Sequence, residues 1–201
     1  SFRARARQAR APRPRGRGRD EDRRPVRRAD VPTRSVPVTH PFDARPIVVA
    51  LAGPNGAGKS TFYRAHLRDA GLRFVNADEI AREVGLDAYE AAAMADRLRR
   101  ELIAARESFV FETVFSDPAG EKLEFLMAAA ESGYTVVLCF VGLDSPRTSE
   151  ARVAMRVCQG GHDVPSAKLR SLFPRTLRNP SAAIRSLPHV LVYDNSDLSK
   201  P

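Results

Sequence analysis

The chain of 201 residues contains no Trp and only two Cys, and these scarcities exclude several classes before any motif is read. Cys139 lies in an apolar run and Cys158 in a polar stretch, which is no disulfide framework and fits a reducing compartment. The four His and two Cys show no metal-ligand spacing, so a zinc site is excluded. The longest apolar run, 136–143, is far too short to span a bilayer. Arginine pairs at 23–24 and 27–28 are not followed by the apolar segment an export signal needs. There are no internal repeats. A cytoplasmic protein without a membrane partner is expected.

The composition that remains, 43% hydrophobic with ten Phe, is enough for one domain with a proper core. A formal net charge of +9 would point to nucleic acid if it were spread over the fold. Residues 1–45, however, carry 14 Arg against 5 acidic residues, which accounts for all of it and leaves 46–201 formally neutral. That first segment is Arg, Ala, Pro and Gly with almost no large apolar residue, so it is expected to be a disordered tail. Nucleic acid would be a partner only through that tail, and a merely solvated tail or an overextended gene start is the favoured reading.

The informative stretch is Gly53-Pro54-Asn55-Gly56-Ala57-Gly58-Lys59-Ser60, followed by Thr61. It matches G-x-x-x-x-G-K-[ST] between a β-branched apolar run, 46–52, and a helical pattern, 60–70, that Gly71 ends. In such a loop the glycines let successive N–H groups face one oxyanion, and the following helix adds its N-terminal dipole. Gly53, Asn55, Gly56, Ala57, Gly58, Lys59, Ser60 and Thr61 are therefore expected to bind a nucleoside triphosphate, with Ser60 on Mg²⁺.

Four further strand-like runs follow at 73–77, 108–113, 134–141 and 189–193. Helical patterns separate them: one opened by Asp78 as N-cap, one over 87–106, one over 117–132 ended by Gly133, one over 145–157, and one from 165 to 188 broken at Pro174. This alternation predicts an α/β domain over 46–201, with a mainly parallel five-stranded sheet covered by helices on both faces and ligands at the carboxyl ends of the strands. Asp78 and Glu112 should then converge on the phosphate loop. Asp78 is the candidate base for phosphoryl transfer to a hydroxyl, and a plain N-cap role is compatible with it. Glu112, with Thr113 and Ser116 beside it, is the candidate for substrate binding or for support of Mg²⁺. Arg152, Arg156, Arg170, Arg175 and Arg178 cluster around the break 159–165, which reads as a lid; Arg156, Arg170 and Arg175 are the catalytic candidates, with solvated helix faces as the alternative. His162 is a lid residue or a loop polar residue, and Asp194-Asn195 a ligand-edge or turn pair.

Taken together, the segments GPNGAGKST (53–61), NADEIA (76–81), FETVFS (111–116), RVCQGGHDVP (156–165), FPRTLRN (173–179) and YDNSDL (193–198) resemble the zeta-toxin family of P-loop kinases over 46–201. The resemblance implies a three-layer P-loop NTPase fold of the nucleotide-kinase type, ATP and Mg²⁺ as cofactors, and phosphorylation of a UDP-activated amino sugar such as UDP-N-acetylglucosamine. It also implies an antitoxin partner, Asp78 as the base, and Arg156 with an arginine of the following helix on the ATP phosphates. Three positions depart from the pattern. Val114 and Ser116 stand where sugar-nucleotide kinases of the family carry Thr and Arg; Leu172 replaces an Arg before FPRT; and the chain ends at 201, where relatives continue into a further strand.

Rival readings are a transporter-type ATPase, a kinase of another small molecule such as an antibiotic or dinucleotide, and a nucleic-acid module driven by the tail. The first needs an LSGGQ-like signature and an apolar strand ending in Asp-Glu, and neither is present.

Overall fold

Ile47–Ala52 forms strand β1, and all six of its residues are buried, as an apolar run without alternation requires. The computed structural model describes residues 40–161 and 163–197. It places β1 at the centre of a five-stranded sheet completed by β2 (Arg73–Val75), β3 (Phe109–Thr113), β4 (Thr135–Gly142) and β5 (His189–Asp194). Their order is β2-β3-β1-β4-β5, and every neighbouring pair is parallel. Around β1 the register sets Ala50 beside Phe111 and Leu138, and Leu51 beside Glu112 and Cys139.

Alternate residues of β1 feed two separate cores. Val48, Ala50 and Ala52 join Phe109, Phe111 and Leu138 against helices α3 (Ala88–Ala104) and α4 (Glu121–Glu131), which contribute Ala95, Leu102 and Leu126. Ile47, Val49 and Leu51 join Val110, Val137 and Val141 on the other face, covered by Phe62 and Leu67. Those two lie on the segment that starts as α1 (Lys59–Phe62), widens into a π-helical turn over Tyr63–Leu67 and tightens to a 3₁₀ turn over Arg68–Ala70. Gly71, left-handed, ends it as expected. The architecture is thus the three-layer α/β sandwich expected.

Local differences from expectation have physical causes. Helix α2 (Ala77–Val84) is capped by Asn76, not Asp78: the Asn76 side chain accepts from the N–H groups of Asp78 and Glu79, which frees the Asp78 carboxylate. Helix α4 starts at Glu121 rather than at 117. Helix α6 (Ser166–Ser186) runs unbroken through Pro174 and Pro180. Its buried residues Leu169, Phe173, Thr176, Pro180 and Ala183 fall on one face, and burial of that face, about 1.5–3 kcal/mol for each large apolar side chain, works against a cost of about 3 kcal/mol for each of the two prolines. At the N-terminal side, Pro41–Asp43 forms a 3₁₀ turn and Phe42 packs on the second core. The remainder of the expected tail, His162 and residues 198–201 lie outside the described residues. Among the described residues, no helix is long and apolar enough to cross a membrane.

Candidate active site

The phosphate loop joins β1 to α1 over the carboxyl end of the sheet. At Gly53, with φ +147°, a Cβ would sit 2.1 Å from the Val141 carbonyl oxygen, so no larger residue fits without moving β4. At Gly56 a Cβ would meet the Ser149 carbonyl at 2.9 Å, because helix α5 (Pro146–Cys158) packs directly on the loop. Side chains fasten the loop from both sides: Ser149 Oγ donates to Asn55 O at 2.7 Å, and Asn195 Nδ2, just past β5, donates to Ala57 O at 2.8 Å.

Lys59 is 6% exposed, its Nζ turned back to donate to the carbonyls of Gly53 (3.0 Å) and Pro54 (3.1 Å). Glu112, at the end of β3, lies beside it, Oε1 being 3.6 Å from Nζ. The other oxygen of Glu112 accepts from Ser60 Oγ at 3.0 Å and Asn76 Nδ2 at 3.1 Å. One carboxylate therefore ties the loop, the first turn of α1 and the cap of α2 together. Burial pushes the Lys59 ammonium below its ordinary pKa; the charges of Glu112 and Asp78 oppose the shift and that of Arg156 adds to it.

A pocket of about 550 Å³ opens beside this cluster. Asn55, Lys59, Asp78 and Glu112 line its loop end. Thr113, Ser116, Asp117 and Arg175 line it farther on, together with Asp96 and Arg99 from α3 and Lys122 from α4. Phe115 turns the chain past the pocket with a left-handed φ of 58°, an unfavourable conformation for a bulky residue that is held by burial and by a hydrogen bond from its N–H to Thr113 Oγ1. Arg99, 6% exposed, stacks over Phe111 and Phe125, and burial brings its pKa to about 10. It shares Asp96 Oδ1 with Lys122 Nζ. A second hollow of about 480 Å³, between α5 and the segment after β5, is lined by Arg147, Thr148, Arg152, Met155, Ser196 and Asp197.

A family model described as an AAA domain matches residues 48–175, well over half of the chain and inclusive of the loop, Asp78 and Glu112. The chain belongs to the AAA domain family. No curated protein matches the sequence. Solved structures share the fold at low identity. A candidate kinase from Chloroflexus aurantiacus is 17% identical with a TM-score of 0.55, over 78% of this chain and 89% of that one. The PezAT chromosomal toxin–antitoxin system of Streptococcus pneumoniae matches at 16% and 0.56, over 78% and 70%. AvrRxo1-ORF1:ORF2 with ATP matches at 22% and 0.58, over 75% of this chain and only 55% of that one. The fold is P-loop kinase-like.

Within this AAA domain the expected residues separate into two groups. Gly53, Asn55, Gly56, Ala57, Gly58, Lys59, Ser60, Asp78, Glu112, Thr113, Ser116 and Arg175 form the loop or line the pocket, and Arg156, on α5, does not line it but its charge acts on Lys59. Arg170 does not join them: it is 68% exposed and engages Glu150 through both Nε (2.5 Å) and Nη2 (3.0 Å). Thr61 is exposed. Not foreseen were Asn76, Ser149, Arg99, Asp96 and Lys122. Asn76 was legible as a cap residue directly ahead of the α2 pattern, whereas Arg99 carries no local signal, since an arginine in an amphipathic helix reads as a solvated face.

Proposed function

We propose that the chain is an ATP-dependent phosphotransferase that moves the γ-phosphate to a hydroxyl of a small acceptor. The observation that carries this reading is the assembly of a buried lysine, a Ser60–Glu112 hydroxyl–carboxylate pair and the uncapped Asp78 at one end of a single pocket. The acceptor oxygen bonds to the γ-phosphorus as Asp78 takes its proton, and the bond from that phosphorus to the β–γ bridging oxygen breaks to leave ADP. Lys59 and the loop amides neutralise the phosphates, and Arg156 and Arg175 stabilise the charge of the transition state. The Glu150 pairing of Arg170 argues against the same role there. The hollow beside Arg152 and Ser196, across the loop, suits the base and ribose.

Ser60 and Glu112 fit Mg²⁺, offering hard oxygen donors next to the phosphate cradle. Mg²⁺ at such sites is held by one or two protein oxygens and otherwise by substrate phosphates and water. When bound, Mg²⁺ supplies charge neutralisation at the β- and γ-phosphates.

A UDP-activated amino sugar, such as UDP-N-acetylglucosamine, is the acceptor supported by the zeta-toxin resemblance, and the fold shared with PezAT supports a toxin with an antitoxin partner. One observation favours another small-molecule acceptor, an antibiotic or dinucleotide: Val114 and Ser116 line the pocket where Thr and Arg stand in sugar-nucleotide kinases. Incubation with γ-labelled ATP and a panel of UDP-sugars, nucleotides, dinucleotides and aminoglycosides tests the reading. A labelled acceptor supports it, and release of labelled inorganic phosphate alone contradicts it.

A further inference from the structure

Aromatic rings are core groups in this fold, with one exception. Every Phe and Tyr among the described residues is buried or half-buried except Tyr89, which is 84% exposed. A large ring stabilises a fold by leaving water, so a ring held out in water adds little to this one. Among the described residues the Tyr89 ring stacks on no other aromatic group and its hydroxyl makes no hydrogen bond. Its place on α3 is nonetheless fixed. Asp87 Oδ1 accepts from the N–H groups of Tyr89 (2.8 Å) and Glu90 (2.9 Å), and Glu90 Oε2 accepts from the Asp87 N–H at 3.2 Å, a reciprocal cap on the first turn.

What Tyr89 adjoins is the pocket. Tyr89, Ala92, Asp96 and Arg99 follow one another at helical spacing along the face of α3 that lines it, and exposure falls along that row from 84% at Tyr89 to 6% at Arg99. From position 89 to 99, at about 1.5 Å per residue, the row is about 15 Å long and opens to solvent at Tyr89. The next side chain on it, Ala92, is a single methyl group that leaves the ring uncovered.

We propose that Tyr89 is a specificity-determining residue that stacks against a planar ring on the part of the acceptor that does not react. The assignment rests on the kinase reading and deepens it by dividing the acceptors that reading admits: nucleotide-linked ones carry such a ring, and aminoglycosides do not. A planar heterocycle uses the whole face of a tyrosine, since stacking asks neither a hydrogen bond nor a charge of its partner. A cation also seats on a tyrosine face. Here Lys168 and Arg175 from α6 join the other basic side chains of the lining, which outnumber its carboxylates five to four and give a cation no net attraction.

The test measures ADP release by the full chain with acceptors paired by the presence of a base: UDP-N-acetylglucosamine against N-acetylglucosamine 1-phosphate, and adenosine 5′-monophosphate against ribose 5-phosphate, with an aminoglycoside as the cationic member. The ring-bearing member of a pair is expected to show the lower KM, by about tenfold or more. Tyr89→Ala should abolish that difference by raising the KM of the ring-bearing acceptor alone, with kcat and the KM for ATP within about twofold, whereas Tyr89→Phe and Tyr89→Trp should keep it. The melting temperature should not move in any of the three, because the ring is already solvated in the free protein. A rise in the KM for ATP in Tyr89→Ala would make the ring part of the adenine site. That result, equal KM values within both pairs, preference for the aminoglycoside, or a preference for the base that survives Tyr89→Ala each overturns the inference while the kinase reading stands. ADP release that no acceptor stimulates overturns it too, and if Asp78→Ala leaves that release unaltered the kinase reading falls with it.

Discussion

At the loop end of the pocket, Lys59, Ser60, Asn76 and Glu112 hold one another within 3.6 Å, whereas at the α3–α4 end Asp117 keeps a buried oxygen open and the lining comes from widely separated segments. The difference follows from what each end has to recognise. A triphosphate presents the same charge pattern whatever the acceptor, so its site can be rigid and locally encoded in one loop. The lining of the other end is drawn from β3, α3 and α4 at positions that only the tertiary fold brings together.

The contrast is broken most severely at the loop. Gly53→Ala drives a Cβ into the Val141 carbonyl, so it should cost about 3 kcal/mol or more in urea unfolding; Gly71→Ala, with open space around it, should cost about 1–2 kcal/mol from its left-handed backbone alone. A smaller effect is expected for Lys59→Met, with opposite signs in two measurements. ATP affinity should fall about tenfold to a hundredfold with loss of a charge-assisted contact, by calorimetric titration. Thermal stability should hold or rise, because the folded state disfavours this buried charge. The same lowered pKa means that the penalty is fully present below the folded value and is relieved as pH climbs from there to the unfolded value near 10.5. Binding of ATP should therefore weaken with rising pH before an ordinary lysine would lose its proton.

Asn76→Ala should cost about 1 kcal/mol as a lost cap and also loosen Glu112, visible as reduced Mg²⁺-dependent ATP affinity. Arg170→Ala should be the mildest, with an unchanged melting temperature and turnover within about twofold, since its ion pair with Glu150 is exposed and that partner is not among the pocket's lining residues. A large loss of turnover there would return Arg170 to the catalytic group.

The three inner strands were legible because a strand buried on both faces must be a short apolar run, and 46–52, 108–113 and 134–141 are such runs, whereas the partly buried edge strands β2 and β5 were legible only as apolar runs between helical patterns. The phosphate loop was legible because its function resides in contiguous residues. Asp78 and Glu112 were legible by position, at the carboxyl ends of strands. The manner in which they are held was not: Asn76 caps α2 in place of Asp78, and Glu112 joins Ser60 to Asn76 across 36 and 52 residues. The continuity of α6 was hidden by Pro174, which breaks a helix unless a buried face keeps it in place. Arg99 was unreadable for the reverse reason, since the rings that bury it come from β3 and α4.

The central claim is that Asp78 performs the proton transfer while a separate, rigid loop holds ATP. It is tested most directly by measuring ATP affinity and labelled γ-phosphate transfer to an acceptor in parallel for wild type and Asp78→Ala. The account predicts affinity within about twofold and transfer reduced by roughly 10²–10⁴-fold. Equal transfer by the two proteins would contradict it.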